Sequence, residues 1–98
     1  MANEVRVATL IQRSIVMSEK SNDEIAAEAG HGPVVIRLIA SGEIKLPLNK
    51  VRAFATALDI NPRTLMMAAL EEYLPEALAE LRLVFPEFSL GEAEGQSF

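Results

Sequence analysis

The sequence contains no cysteine and no tryptophan, and it has a single histidine, His31. Without cysteine, a disulfide framework and a thiolate metal site are excluded, and one histidine leaves no ligand set for zinc. No run approaches the roughly 18 apolar residues of a membrane span, and residues 1–10 lack the basic start and apolar stretch of a signal peptide. We therefore expect a cytoplasmic protein with no metal, no cofactor and no membrane contact.

Positive charge is also scarce, and it is unevenly distributed. The 98 residues include 9 Lys and Arg against 14 Asp and Glu, a net charge of −5. Residues 1–65 have a net charge of +1, whereas residues 66–98 contain 1 basic against 7 acidic residues, a net charge of −6. The acidity thus belongs to the C-terminal third, and the remainder is close to neutral, which permits a nucleic-acid partner without favouring one. We predict one domain over residues 1–85 and a mobile acidic tail over residues 86–98.

Helical periodicity and capping signals predict the first two helices. Apolar residues recur at three- and four-residue steps over residues 4–19, which is the period of a helix with one buried face. Ser21 precedes Glu24 by three residues, the spacing of a capping box, so a second helix begins there. Gly30 ends it after a short run because glycine supplies the positive φ of a tight turn.

Four further helices follow. A proline suited to a first helical turn and a glycine suited to a helix end bracket a third helix over residues 33–42. Helical spacing predicts a fourth over residues 48–58, Asn61 and Pro62 begin a fifth, and a sixth covers residues 75–84. No segment alternates like a strand, so we predict an all-α, compact five- to six-helix bundle. Its predicted core is Ile11, Ile25, Ala26, Ile36, Ile39, Val51, Phe54, Leu58, Leu65 and Leu70.

Two stretches, SNDEIAAEAGHGPVVIRLIASG at residues 21–42 and KLPLNKVRAFATALDINPRTL at residues 45–65, resemble the Cro/C1 (Xre-type) helix-turn-helix regulators of bacteria and their phages. In that family a capping residue, an alanine, a turn glycine, an isoleucine and a second glycine recur at fixed steps. The matching residues here are Ser21, Ala26, Gly30, Ile36 and Gly42. The resemblance covers roughly residues 5–74 and implies a lambda-repressor-like fold that contains a helix-turn-helix.

The resemblance also implies a DNA-binding surface, because in such proteins the third helix lies in the major groove and its outer face contacts base edges. The base-facing positions are Pro33, Val34, Arg37 and Leu38. The expected phosphate contacts are Asn22, Lys45, Lys50 and Arg52. The resulting prediction is a small bacterial or phage transcriptional regulator that binds DNA through its third helix.

The base-facing positions nevertheless depart from the pattern of a DNA reader. Only Arg37 carries the hydrogen-bonding group that direct readout requires. Val34 and Leu38 lie one turn apart and opposite the inner face of the helix, which predicts an exposed apolar pair. Such a pair is typical of a partner surface. The alternative function is therefore a helix-turn-helix fold repurposed as an antiactivator or antirepressor that masks a transcription factor. A third possibility is that the sixth helix or a second subunit covers Val34 and Leu38.

Residues 73–85, YLPEALAELRLVF, carry an apolar stripe wider than one small domain normally covers. Members of the resembled family commonly act as dimers on symmetric half-sites. We therefore expect a homodimer through this segment, with packing on the core alone as the alternative. With Val34 and Leu38, the candidate protein-contact residues are Tyr73, Leu78, Leu81 and Phe85.

No arrangement of residues predicts catalysis. The adjacent pairs Glu71-Glu72 and Asp23-Glu24 point about 100° apart on a helix, so neither pair can flank one bond as an acid and a base, and we interpret both as solvated. We interpret His31 as a surface turn residue. The stretch GEAEG lacks the lysine and the strand of a phosphate-binding loop. The sequence thus predicts a protein that is not an enzyme.

Overall fold

The computed structural model describes residues 6–87, and every regular element in that range is helical. A 3₁₀ turn over Leu48–Lys50 leads directly into the fourth α-helix. The prediction of an all-α bundle of five or six helices is confirmed, whereas residues 88–98 of the predicted mobile tail lie outside the described residues. The six α-helices are α1 (Arg6–Met17), α2 (Asn22–Ala29), α3 (Pro33–Ser41), α4 (Val51–Leu58), α5 (Pro62–Tyr73) and α6 (Pro75–Val84).

Capping residues fix the ends of the central helices where the sequence predicts them. The Ser21 hydroxyl accepts a hydrogen bond from the Glu24 amide at 3.1 Å, and the Glu24 carboxylate accepts one from the Ser21 amide at 2.8 Å. Gly30 ends α2 at φ +79° and Gly42 ends α3 at φ +86°. Both values lie in the left-handed region, which glycine enters more readily than any residue with a side chain.

All ten residues predicted to form the core are buried. Phe54 of α4 is the largest fully buried side chain, and α2 and α5 both pack on this helix. The core also includes Val7, which belongs to the apolar face that periodicity predicts for α1, and Leu46, which periodicity did not predict. Leu46 precedes the 3₁₀ turn, so it belongs to no helical face from which a period could be read.

The helices are arranged so that α1 covers one side of α3. It packs against α3 and α5, whereas α2 packs mainly against α4, and α6 packs mainly against α5. This arrangement buries the inner face of α3 and leaves its opposite face to solvent. The helix that the resemblance assigns to DNA is therefore held by the core and remains accessible.

The apolar stripe of residues 73–85 divides between core and surface. Leu78 is only 2% exposed, so its prediction as a partner contact is wrong because its side chain is already enclosed within the domain. Tyr73 packs against the core and Leu81 is half-buried. The outer apolar residues of this segment are Leu74, Leu83, Val84 and Phe85, and Leu83 is the most exposed at 74%.

Two glutamates of α5 hold the beginning of α1. The Glu72 carboxylate accepts a hydrogen bond from the Val7 amide at 2.8 Å, which satisfies one of the amides that a helix start leaves unpaired. Glu71 forms ion pairs with Arg6 and, at 3.6 Å, with Arg82 of α6. Glu71 and Glu72 are thus partly exposed, and both also bind groups on other helices, which the interpretation of solvated side chains does not include.

Candidate nucleic-acid interface

The helix-turn-helix is built from α2, a three-residue turn and α3. The amides of Gly30 and His31 both donate to the carbonyl of Ala26, at 2.9 and 3.0 Å, and this closes the end of α2. At Gly32 the backbone returns to an extended conformation with φ −72°, and Pro33 occupies the first turn of α3. Because proline lacks an amide that would be unpaired there, it starts the helix at no cost in hydrogen bonding.

The two faces of α3 differ in burial as the sequence predicts, with one exception. Ile36 and Ile39 are buried against the core, whereas Pro33, Val34 and Arg37 are exposed. Val34 is 55% exposed, but Leu38 is half-buried. The predicted exposed apolar pair is thus wrong in its second member: Leu38 lies close enough to the inner face of α3 to be partly covered by the fold. The outer surface carries one exposed aliphatic side chain, Val34, beside Arg37.

The Lys and Arg side chains within positions 6–87 fall into two groups, those that pair with a carboxylate and those that do not. Arg6, Lys20 and Arg82 each bind a glutamate, with the Lys20 ammonium 2.7 Å from Glu28. Within the described residues, the cations assigned to DNA make no ion pair, and neither do two others on α1 and α5. The cations without a carboxylate partner are Arg13, Arg37, Lys45, Lys50, Arg52 and Arg63. Their charges are therefore not neutralised within this part of the chain.

Lys50 is brought to the turn of the helix-turn-helix. A Cβ placed on Gly30 would lie 3.8 Å from the Lys50 ammonium, so this charge lies beside the turn that precedes α3. Asn22, the first residue of α2, and Arg52, in the first turn of α4, are both exposed. These three polar groups are available at the surface, as a role in phosphate contact requires.

Lys45 lies elsewhere. Its ammonium is 5.5 Å from the centre of the Tyr73 ring on α5, within the range of a cation–π contact. This contact holds the Lys45 ammonium beside α5, the helix that packs against α1. Lys45 is therefore exposed like Asn22 and Arg52, but it also has an aromatic partner on α5.

His31 anchors the turn to the core. Its ring lies 5.7 Å from the Phe54 ring at an angle of 48°, and its Nε2 is buried without a hydrogen-bond partner in the described residues. His31 thus lies in the turn as predicted, but its half-buried side chain folds inwards from the turn. The two flanking glycines suggested only a turn, and no local signal in the sequence indicates the direction of this ring.

Comparisons with known proteins add no assignment: no protein-family model, curated protein or solved structure matches this chain. Two structural features bear on the type of site. No helix within residues 6–87 is both long and apolar enough to cross a bilayer. The same residues contain no cluster of His, Asp and Glu arranged to hold a metal ion. The candidate site is thus defined by α2, the turn, α3 and the unpaired cations around them.

Proposed function

We propose that the protein is a DNA-binding transcriptional regulator that places the exposed face of α3 in the major groove. The observation that carries this proposal is that Arg37 and Lys50 have no carboxylate partner in the described residues, although the chain has a net charge of −5. In a chain with an excess of acids, an unpaired cation on the outer face of α3 and another at the turn leave local positive charge beside a helix-turn-helix. Phosphates and guanine edges are the acceptors that such groups bind.

The roles within this surface follow from exposure and chemistry. Arg37 is the hydrogen-bonding side chain on the outer face of α3, and a guanidinium can donate two parallel bonds to the O6 and N7 atoms of guanine. Val34 supplies an apolar contact of the kind that thymine methyl groups accept. Asn22, Lys50 and Arg52 surround this face with donors for phosphate oxygens. The surface therefore has one base-reading residue and a small number of positioning contacts.

A second copy would complete the regulator. The exposed apolar residues at the end of α6, Leu83, Val84 and Phe85, form a surface that an identical surface can cover in an isologous dimer. Two copies of α3 would then read half-sites about one helical turn of DNA apart. This geometry compensates for the few base contacts of each copy, because a symmetric site doubles them.

Fluorescence anisotropy with DNA from the gene's own upstream region tests the proposal over a range of salt concentrations. Replacing Arg37 with Ala should weaken the specific site by about 1–3 kcal/mol, whereas Lys50→Ala should weaken all sequences alike and lower the salt slope by about one. Arg63→Ala is the matched control, since it removes one unpaired charge from α5, which packs mainly on α1, α4 and α6. Equal effects of the Arg37 and Arg63 changes would contradict the proposal.

The exposure of Val34 favours one second candidate, a protein-binding antiactivator or antirepressor. Under this alternative, Val34→Asp places a charge in an apolar contact and should abolish a complex with a transcription factor. Lys50→Ala should then have little effect, and binding should be insensitive to salt. Leu38→Asp is a poorer probe because Leu38 is half-buried and the change would also disturb the fold. The two functions are distinguished by which substitution weakens binding more: Arg37→Ala if the partner is DNA, or Val34→Asp if the partner is a protein.

A further inference from the structure

A cleft of about 230 Å³ lies where the end of α3 and the loop after it meet α1 and α5. Its apolar wall is formed by Ala8, Ile39 and Ile44, and its polar groups belong to Lys45, Glu72 and Tyr73. Pockets for drug-sized molecules measure about 300–1,000 Å³. The cleft is smaller than these, so it fits a molecule smaller than a typical drug.

Lys45 and Tyr73 place two hydrogen-bond donors at this cleft. The Tyr73 oxygen accepts a hydrogen bond from the Leu46 amide at 2.9 Å, which leaves its own O–H proton for another acceptor. Burial raises the pKa of the Tyr73 phenol, and the negative charge of Glu72 raises the pKa further despite the opposing effect of the Leu46 amide. The phenol therefore stays protonated at neutral pH. Together with the Lys45 ammonium, it suits a carboxylate.

Glu72 provides the opposite charge. One of its carboxylate oxygens accepts from the Val7 amide at 2.8 Å, and the other has no hydrogen-bond partner within residues 6–87. Lys45 and Glu72 line the same cleft but form no ion pair with each other in the described structure. A simple anion would be repelled by Glu72, and a simple cation by Lys45. A molecule that carries both charges satisfies both groups.

We propose that this cleft binds a free α-amino acid with a small apolar side chain. The carboxylate contacts Lys45 and the Tyr73 hydroxyl, and the ammonium contacts the second oxygen of Glu72. The side chain lies against the apolar wall. The proposal does not depend on DNA binding, and it gives Lys45 a role that its position over Tyr73 explains and that the phosphate assignment does not.

Titration with three related probes, followed by NMR chemical shifts and calorimetry, tests this site. L-valine carries both charges, isovalerate is valine without the ammonium, and isobutylamine is valine without the carboxylate. We expect saturable binding of L-valine with shifts at the amides of Gly42, Ile44 and Leu46, and binding at least about tenfold weaker for each of the other two probes. Absence of saturable shifts with L-valine, or equal binding of isovalerate, would overturn the proposal.

Two substitutions separate the contacts. Lys45→Met should weaken L-valine binding about tenfold or more. Glu72→Gln keeps an oxygen for the Val7 amide but removes the negative charge, so the protein should stay folded and lose its preference for L-valine over isovalerate. Arg63→Met is the control, because it removes a charge about 15 Å along α5 from Tyr73. If this control weakens binding as much as Lys45→Met, the proposed site is wrong.

Discussion

Gly30 gives the sharpest test of the helix-turn-helix geometry, because two opposing effects of Gly30→Ala can be estimated separately. The backbone at φ +79° lies in the left-handed region, where a Cβ costs about 1–2 kcal/mol. Restricting the unfolded chain returns about 0.4–1 kcal/mol. The new methyl meets only the Lys50 ammonium, at an ordinary contact distance of 3.8 Å, so no steric term is added. The expected net loss is about 1 kcal/mol.

Urea unfolding followed by circular dichroism measures this loss. A change of about 1 kcal/mol should lower the midpoint by about 0.5 M with an unchanged slope. Gly30→Asn is the matched rescue, since asparagine tolerates the left-handed region better than alanine does. Gly32→Ser is the control: its φ is −72° and a Cβ there has nothing within 4 Å, so a serine cap should leave stability equal or slightly higher. If Gly30→Ala is as stable as the unchanged protein, the strain argument is refuted.

Three further predictions concern the core, the dimer and pH. Phe54→Ala should cost about 3–5 kcal/mol because it empties the largest buried position and removes the support of His31; denaturant unfolding that shows a loss below about 1 kcal/mol would contradict this. Leu83→Glu should convert a dimer to a monomer in analytical ultracentrifugation without loss of helicity, and an unchanged protein that is monomeric at high concentration would refute the dimer. The hydrogen bond to Glu28, with its negative charge, raises the pKa of Lys20 above 10.5. The stability that Lys20 contributes should therefore be present below pH 10.5 and lost as pH rises through the raised pKa. Urea unfolding should accordingly show a difference in stability between the unchanged protein and Lys20→Met that vanishes in alkali. A difference that stays constant with pH would count against the Lys20–Glu28 ion pair.

Local signals in the sequence predict where the helices begin and end. The capping box of Ser21 and Glu24, the left-handed glycines Gly30 and Gly42, and the Asn61 cap all lie where their spacing indicates. Each depends on atoms only a few residues apart, so the chemistry that fixes it is present in a short window. The same holds for the inner face of α3, whose buried residues follow from helical periodicity alone.

Side-chain directions set by distant contacts could not be predicted in this way. The local pattern predicts a solvated Glu72, because its role as an acceptor depends on Val7, 65 positions earlier. The stripe on α6 indicated apolar contact but not which residues α5 would cover, so Leu78 was assigned to the wrong surface. His31 turns inwards because Phe54 lies behind the turn. In each case the deciding partner is on another helix, and the local pattern carries no information about it.

The link between Glu72 and the Val7 amide also has a consequence for the order of folding. Contacts between residues far apart in sequence form late because closing a long loop costs chain entropy before any contact repays it. The α2–turn–α3 unit depends on neighbouring residues and can form early, whereas α1 gains its amide acceptor only when α5 is in place. During synthesis the ribosome must release the chain beyond Glu72 before Val7 finds that partner. The beginning of α1, which is made before the rest of the bundle, therefore gains this contact only after α5 has been made.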